Sequence, residues 1–171
     1  LEFHVRLTRA GEYAVRCVLY LSSCPAGEVV SRKAIAEAMD IPEQFLGKIA
    51  QQLARSGIVE IVQGAKGGFR LLRSPEELSL LHVVEATIGE IFLNDCLMNP
   101  GICLRSQACA VNAIWNRARQ QLRETLRDAT FQRLLESQSC MSSSPPPPAR
   151  RRSAARTMKI RKKVSSATKG G

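Results

Sequence analysis

A chain of 171 residues suits one domain, or a small domain with an appendage, and its 44% hydrophobic content supports a modest core. No apolar run approaches the roughly 20 residues of a membrane span, and no basic-then-apolar leader opens the chain, so a cytoplasmic protein without a membrane partner is expected. The net charge of +10 is not spread over the fold: residues 141–171 hold nine Lys or Arg and no acid, whereas residues 1–140 carry sixteen basic against fifteen acidic side chains. Global charge is therefore weak evidence of nucleic-acid binding, and local patterns must decide.

The regular pattern begins near Val5. From Thr8, a suitable N-cap, Ala10, Tyr13, Ala14, Cys17, Val18 and Leu21 recur at three and four residues, which predicts an amphipathic helix ended by Pro25-Ala26-Gly27. A second short helix starts after Ser31, with Ile35, Ala36 and Met39 inward. Asp40-Ile41-Pro42 is a tight junction, with Pro42 suited to the first helical position. A third helix buries Phe45, Leu46, Ile49, Ala50 and Leu53 and closes at Gly57. Two short helices around so tight a turn make a helix-turn-helix, although a purely structural helical hairpin has the same signature.

Ile58 to Val62 reads as a strand, Gln63 to Gly68 as a Gly-rich basic tip, and Phe69 to Leu72 as the returning strand. Directly after the third helix, this hairpin is the wing of a winged helix, and Ser74-Pro75 ends it. Gln44, Lys48, Gln51 and Arg55 share the exposed face of the third helix, and these residue types pair with adenine or guanine edges. Lys66 at the wing tip, Arg70, and the N-terminal Arg6 and Arg9 are candidates for phosphate contact.

Leu78, Leu81, Val84 and Ile88 predict a fourth helix, with His82 as a satisfied surface or half-buried histidine. An irregular stretch from about Asn94 precedes a long helix from Ala110 to Leu126. Its stripe of Val111, Ile114, Trp115, Ala118, Leu122 and Leu126 needs a partner surface. A homodimer through Val111, Ile114, Ala118 and Leu122 is expected, which suits a two-fold symmetric DNA site. After Cys140 the Ser/Pro-rich and basic run to Gly171 has the composition of a disordered tail. The fold class is thus mainly α with a small β-hairpin wing. A winged helix-turn-helix spans 5–75, a cysteine loop and dimerisation helix span 76–137, and a tail spans 138–171.

Six cysteines in a chain expected in the cytoplasm are not a disulfide framework. Cys17 reads as a small buried hydrophobe, and Cys24 and Cys140 have no informative neighbours. Cys96, Cys103 and Cys109 lie within fourteen residues and can fold round one soft metal, with a fourth ligand drawn from elsewhere. Their spacing is wrong for a zinc knuckle, which argues against a zinc-stabilised interaction module. A redox-responsive or merely buried trio is the other alternative. No nucleophile–base pair, carboxylate dyad or nucleotide loop points to an enzyme or a small-molecule substrate.

VRLTRAGEYAVR, IPEQFLGKIAQQLARSGIVEIVQGAKGGFRLLR and CLMNPGICLRSQACAVNAIW together resemble the small bacterial iron–sulfur winged-helix regulators of the IscR/NsrR type. The resemblance runs from about Val5 to Ser137. It implies a dimeric transcriptional regulator that binds double-stranded DNA and represses or activates promoters according to the state of a 2Fe–2S or 4Fe–4S cluster, and a repressor is expected here. Cys96, Cys103 and Cys109 are then the cluster thiolates. Where the 2Fe–2S type has a completing histidine three residues beyond the last cysteine, this chain has Asn112. The nitric-oxide-sensing type instead uses a carboxylate near the start of the first helix of the other subunit, and Glu12 occupies that position. The resemblance is therefore closer to the nitric-oxide-sensing type and favours 4Fe–4S over 2Fe–2S. Gln63 replaces an arginine frequent at the wing tip. A regulator that responds to thiols or cysteine metabolism without any cluster is the alternative within the same fold.

Overall fold

The computed structural model describes residues 8–105 and 108–141, with side chains as far as Ser137. Arg6 and the basic run after Met141 lie outside the described residues. Among the described residues the elements follow in the order α1 (Arg9–Ser23), α2 (Arg32–Met39), α3 (Glu43–Arg55), β1 (Val59–Val62), β2 (Gly68–Leu71), α4 (Leu80–Ile88), α5 (Asp95–Met98), the 3₁₀ turn Pro100–Ile102, α6 (Ala110–Asp128) and α7 (Phe131–Met141). The mainly helical fold with a two-stranded wing is as expected.

Local chemistry sets the first boundaries. Thr8 caps α1 by accepting a hydrogen bond from the Gly11 amide at 3.2 Å, and Ser31 caps α2 by accepting one from the Ala34 amide at 3.2 Å. Asp40 ends α2 in the left-handed conformation at φ 50°, which Asp tolerates better than most residues, and its amide donates to the Ala36 carbonyl. Pro42 sits one residue earlier than expected: it is the N-cap of α3, with an extended ψ of 124°, rather than its first helical residue. Gly57, with φ 64°, follows the C-cap of α3 as predicted.

Among the described residues one core runs from α1 to the start of α7. Ala14, Cys17, Val18 and Leu21 from α1 meet Ile35 of α2, Leu46, Ile49 and Leu53 of α3, Ile58, Val59 and Phe69 of the wing, and Leu78, Val83 and Phe131 beyond it. The core thus continues past residue 75 and draws in α4 and the start of α7. Phe45 departs from the expected stripe: it is 42% exposed, with its ring 5.8 Å from that of Tyr13.

The wing strands are antiparallel, with Val59 opposite Leu71 and Val62 opposite Gly68. Their base is sewn to the α1–α2 linker: the Val30 amide donates to the Phe69 carbonyl at 2.9 Å, and the Phe69 amide returns a bond to the Val30 carbonyl at 2.8 Å. This close approach requires glycine at 68, where a Cβ would lie 2.6 Å from the Val30 carbonyl carbon.

Helix α7 is an element that sequence periodicity did not reveal. The link before it pairs back onto the entry to α4, with Leu80 donating to the Ala129 carbonyl at 3.0 Å and Phe131 to the Leu78 carbonyl at 2.9 Å. Phe131 is fully buried and α7 packs against α1, so burial of about 2–3 kcal/mol for the ring fixes this helix. At the start of α4, His82 Nδ1 accepts a bond from the Ser79 amide at 3.2 Å, doing the work of a capping-box Glu. Among the described residues no helix is long and apolar enough to cross a membrane.

Candidate nucleic-acid interface and cysteine loop

Burial divides α3 cleanly. Leu46, Ile49, Ala50 and Leu53 face the core, and Gln44, Lys48, Gln51 and Arg55 are all exposed on the opposite side. Their side chains make no hydrogen bond or ion pair among the described residues, so their donors are free for an outside partner. A groove of about 360 Å³ separates this helix from the wing, lined by Gln51 and Gly47 on one side and Gln63, Gly64 and Gly67 on the other. Arg32, not foreseen in the sequence, also lines it and is bound to Glu43 at 3.2 Å. Lys66 is exposed on the tip and Arg9 is exposed at the start of α1.

Arg70 is in a different position from the other cations. It stands directly across the hairpin from Glu60, and its Nε donates to Glu60 Oε2 at 3.0 Å. The pair is solvent-accessible on both sides, so it holds Arg70 only weakly, and a phosphate would meet the Glu60 carboxylate beside it.

The cysteines occupy three kinds of place. Cys17 is buried in the core, its thiol pushed up to about 12 by desolvation, and is inert as a ligand. Cys24 donates to the Tyr20 carbonyl at 3.3 Å, and its pKa is raised first by burial and then by the charge of Glu28. Cys96, Cys103 and Cys109 lie on the segment between α4 and α6: Cys96 is half-buried in α5, Cys103 is exposed after the 3₁₀ turn, and Cys109 is the half-buried N-cap of α6. All five of these thiols are free.

Asn112 Nδ2 lies 3.3 Å from Cys96 Sγ. Because Asn112 is one turn beyond Cys109, this contact brings the first and third cysteines to the same end of α6. Among the described residues no set of three or more Cys, His, Asp or Glu is gathered at metal-binding range, so the three thiols do not converge as a set. Glu12 is exposed on the first turn of α1 and is ion-paired with Arg16, which also reaches the Met39 carbonyl at 3.4 Å. The donor chemistry nonetheless fits an iron–sulfur cluster: three thiols on one short loop, with a helix N-terminus beside them that favours the negative charge of a thiolate-ligated centre.

Helix α6 presents an unpartnered apolar face, and none of its residues is buried. Val111 and Ile114 are 59% and 53% exposed, Trp115 is also exposed, and Ala118 and Leu122 are half-buried. Its other face is clamped to α4. Arg119 Nε donates to the Ile91 carbonyl at 2.6 Å, its guanidinium pairs with Glu90, and its Cζ lies 4.4 Å from the Phe92 ring centre. Arg123 pairs with Glu85 and reaches Glu90 at 3.5 Å.

A family model described as Rrf2, iron-dependent transcriptional regulator, matches residues 7–137. Protein aau3 of Rhizobium meliloti is 38% identical over 136 residues, which cover 78% of this chain and 86% of that protein. The HTH-type transcriptional regulator NsrR of Geobacillus kaustophilus is 31% identical, over 81% of this chain and 95% of its own length. Among solved structures, the global cysteine regulator CymR of Bacillus subtilis shares the fold with a TM-score of 0.63 at 21% identity, over 78% of this chain and 98% of that one. The sequence match over most of the chain, the helix-turn-helix with its wing and the long exposed α6 agree: this protein belongs to the Rrf2 family of transcriptional regulators, on the side of the NsrR type.

Proposed function

We propose that this regulator is a cytoplasmic, homodimeric repressor whose hold on double-stranded operator DNA is set by an iron–sulfur cluster that senses nitric oxide, redox stress or cluster supply. The observation that carries the reading is the position of the three free thiols: they lie between the clamp on α4 and the first turn of the exposed helix α6. Cys96, Cys103 and Cys109 hold the cluster, a 4Fe–4S centre in preference to 2Fe–2S, and Glu12 of the other subunit completes it. A cluster supplies iron sites that react with nitric oxide and oxidants. A carboxylate, as a hard oxygen donor, leaves iron more readily than a thiolate does. Asn112 supports this assignment, since an amide already turned onto Cys96 is a poor substitute for a histidine ligand.

On the DNA side, Gln44, Lys48, Gln51 and Arg55 read base edges, while Lys66 and Arg9 hold phosphates. Packing of Val111, Ile114, Ala118 and Leu122 against a second copy sets the spacing of two α3 helices over the half-sites. The test is operator affinity of anaerobically purified protein before and after nitric oxide, in the wild type and in Cys103→Ala. The reading expects tight binding that nitric oxide abolishes in the wild type, and weak, unresponsive binding in the variant. A second reading, a cluster-free thiol regulator, draws on the shared fold of CymR and on the absence, among the described residues, of a gathered set of three ligands. It expects iron-free protein whose DNA binding responds to thiol oxidants alone.

A further inference from the structure

The last carbonyls of any α-helix lack intrahelical partners and must be satisfied from outside. At the end of α4, the Thr87 carbonyl is such a group, and its partner comes from the DNA-facing helix: Gln52 Nε2 of α3 donates to it at 3.1 Å. Gln52 is the immediate neighbour of Gln51 but points the other way. Its remaining oxygen, Oε1, is buried without a hydrogen-bond partner among the described residues. The amide cannot simply be reversed, because its oxygen would then face the Thr87 carbonyl. A half-satisfied buried amide is retained here although an apolar side chain of the same shape would avoid the orphan atom, which marks it as more than filler.

The same end of α4 is where the cysteine segment is tied down. Glu85 accepts from the Ile91 amide at 3.2 Å and pairs with Arg123, while Arg119 holds Glu90, the Ile91 carbonyl and the face of Phe92. The start of the cysteine segment, from Glu90 to Phe92, is therefore held by α6 against the last turn of α4. Helices α3 and α4 also pack against each other in the core, and at this turn one side-chain hydrogen bond, from Gln52, links them.

We propose that Gln52 is the positioning residue that couples the cysteine segment to the reading helix, through the α4 turn that Arg119 and Arg123 clamp. This rests on α3 being the DNA-reading helix. Movement of α6 or of the loop shifts Glu85, Glu90 and Ile91, and with them the Thr87 carbonyl. Gln52 then rotates or releases α3 relative to the wing. Its role is one of alignment, since its own side chain faces away from the DNA.

Gln52→Met tests this, because it keeps the length of the side chain while removing both the donor and the orphan oxygen, and so should leave the fold intact. The full chain, purified anaerobically, is measured for affinity to its operator and to a random duplex, together with amide hydrogen exchange along α3. The expected result for Gln52→Met is a two- to tenfold loss (roughly the worth of one hydrogen bond) for the operator only, with faster exchange in α3 and melting lowered by a few degrees at most, because the Thr87 carbonyl loses its partner. Arg119→Ala should produce the same loss, and the double variant little more than either alone, since both act on one path. Fully additive losses, or equal losses on both duplexes, would overturn the coupling. Lys48→Ala is the control: operator affinity unchanged in that variant refutes α3 as the reading helix. A loss in Lys48→Ala beside wild-type behaviour in Gln52→Met refutes the positioning role alone.

Discussion

Replacing Gly68 with Ala is the sharpest structural perturbation of the wing. The new Cβ would sit 2.6 Å from the Val30 carbonyl carbon and 3.0 Å from Ser31 Cα, both backbone positions that cannot turn aside as a side chain would. Relief requires the wing base to part from the α1–α2 linker, which breaks the reciprocal Val30–Phe69 hydrogen bonds of 2.9 and 2.8 Å. Two backbone bonds at about 0.5–1.5 kcal/mol each, with overpacking of about 1–3 kcal/mol, give a loss on the order of 2–6 kcal/mol. That is a large share of the roughly 5–15 kcal/mol that holds a domain together. Urea denaturation followed by circular dichroism should show a lower midpoint at unchanged slope. Duplex binding at a urea-free, permissive temperature should weaken for operator and random DNA together, because the displaced tip carries Lys66. Wild-type midpoint and wild-type affinity would show that the wing is not seated on Val30, and the argument for its placement would fail.

Lys48→Ala should weaken operator binding more than binding to a random duplex, whereas Lys66→Ala should lower both and reduce the salt dependence; equal losses for Lys48→Ala would remove it from the base-reading set. Ile114→Asp, which puts a charge on a residue 53% exposed on α6, should convert the dimer to monomer in sedimentation at micromolar concentration, and a wild type that is already monomeric would end the dimer reading. Cys17 should resist alkylation in the native protein. Its folded pKa of about 12 lies above the ordinary 9.0, so the thiol's contribution is present below pH 9 and is lost as pH rises toward 12; Cys17→Ala should flatten that alkaline decline, and an unchanged alkaline limb would reject the linkage.

Much of the architecture is legible in residue order because local chemistry and packing agree. Thr8 and Ser31 cap as their types demand, the α3 stripe separates core from solvent, and the Gly-rich tip falls where a sharp reversal is needed. What escaped the sequence depends on tertiary partners. Helix α7 has only Phe131 and a few leucines to declare it, and its stability comes from pairing with residues 78–80, about fifty positions earlier. Phe45 fits the helical stripe yet lies at its margin against Tyr13, because the core has already been closed by Leu46 and Ile49. Arg70 looks like a free cation until the hairpin register sets it across from Glu60. Gln52 gives no signal at all, since its role depends on a carbonyl thirty-five residues away. The three cysteines stand out by their spacing, but the contact of Asn112 with Cys96, sixteen residues earlier, appears only in the fold.

Iron content per subunit tests the central claim most directly. Native mass spectrometry of the anaerobically purified protein, paired with Mössbauer spectra, distinguishes a cubane from a smaller cluster and from none. The account predicts one cluster of about four irons per subunit, held by Cys96, Cys103 and Cys109. Spectra of Glu12→Ala should be altered at one iron site. Two irons per subunit would reject the cubane, and unchanged spectra in Glu12→Ala would reject the carboxylate ligand. Protein that carries no iron, and binds its operator identically with and without nitric oxide, would contradict the account as a whole.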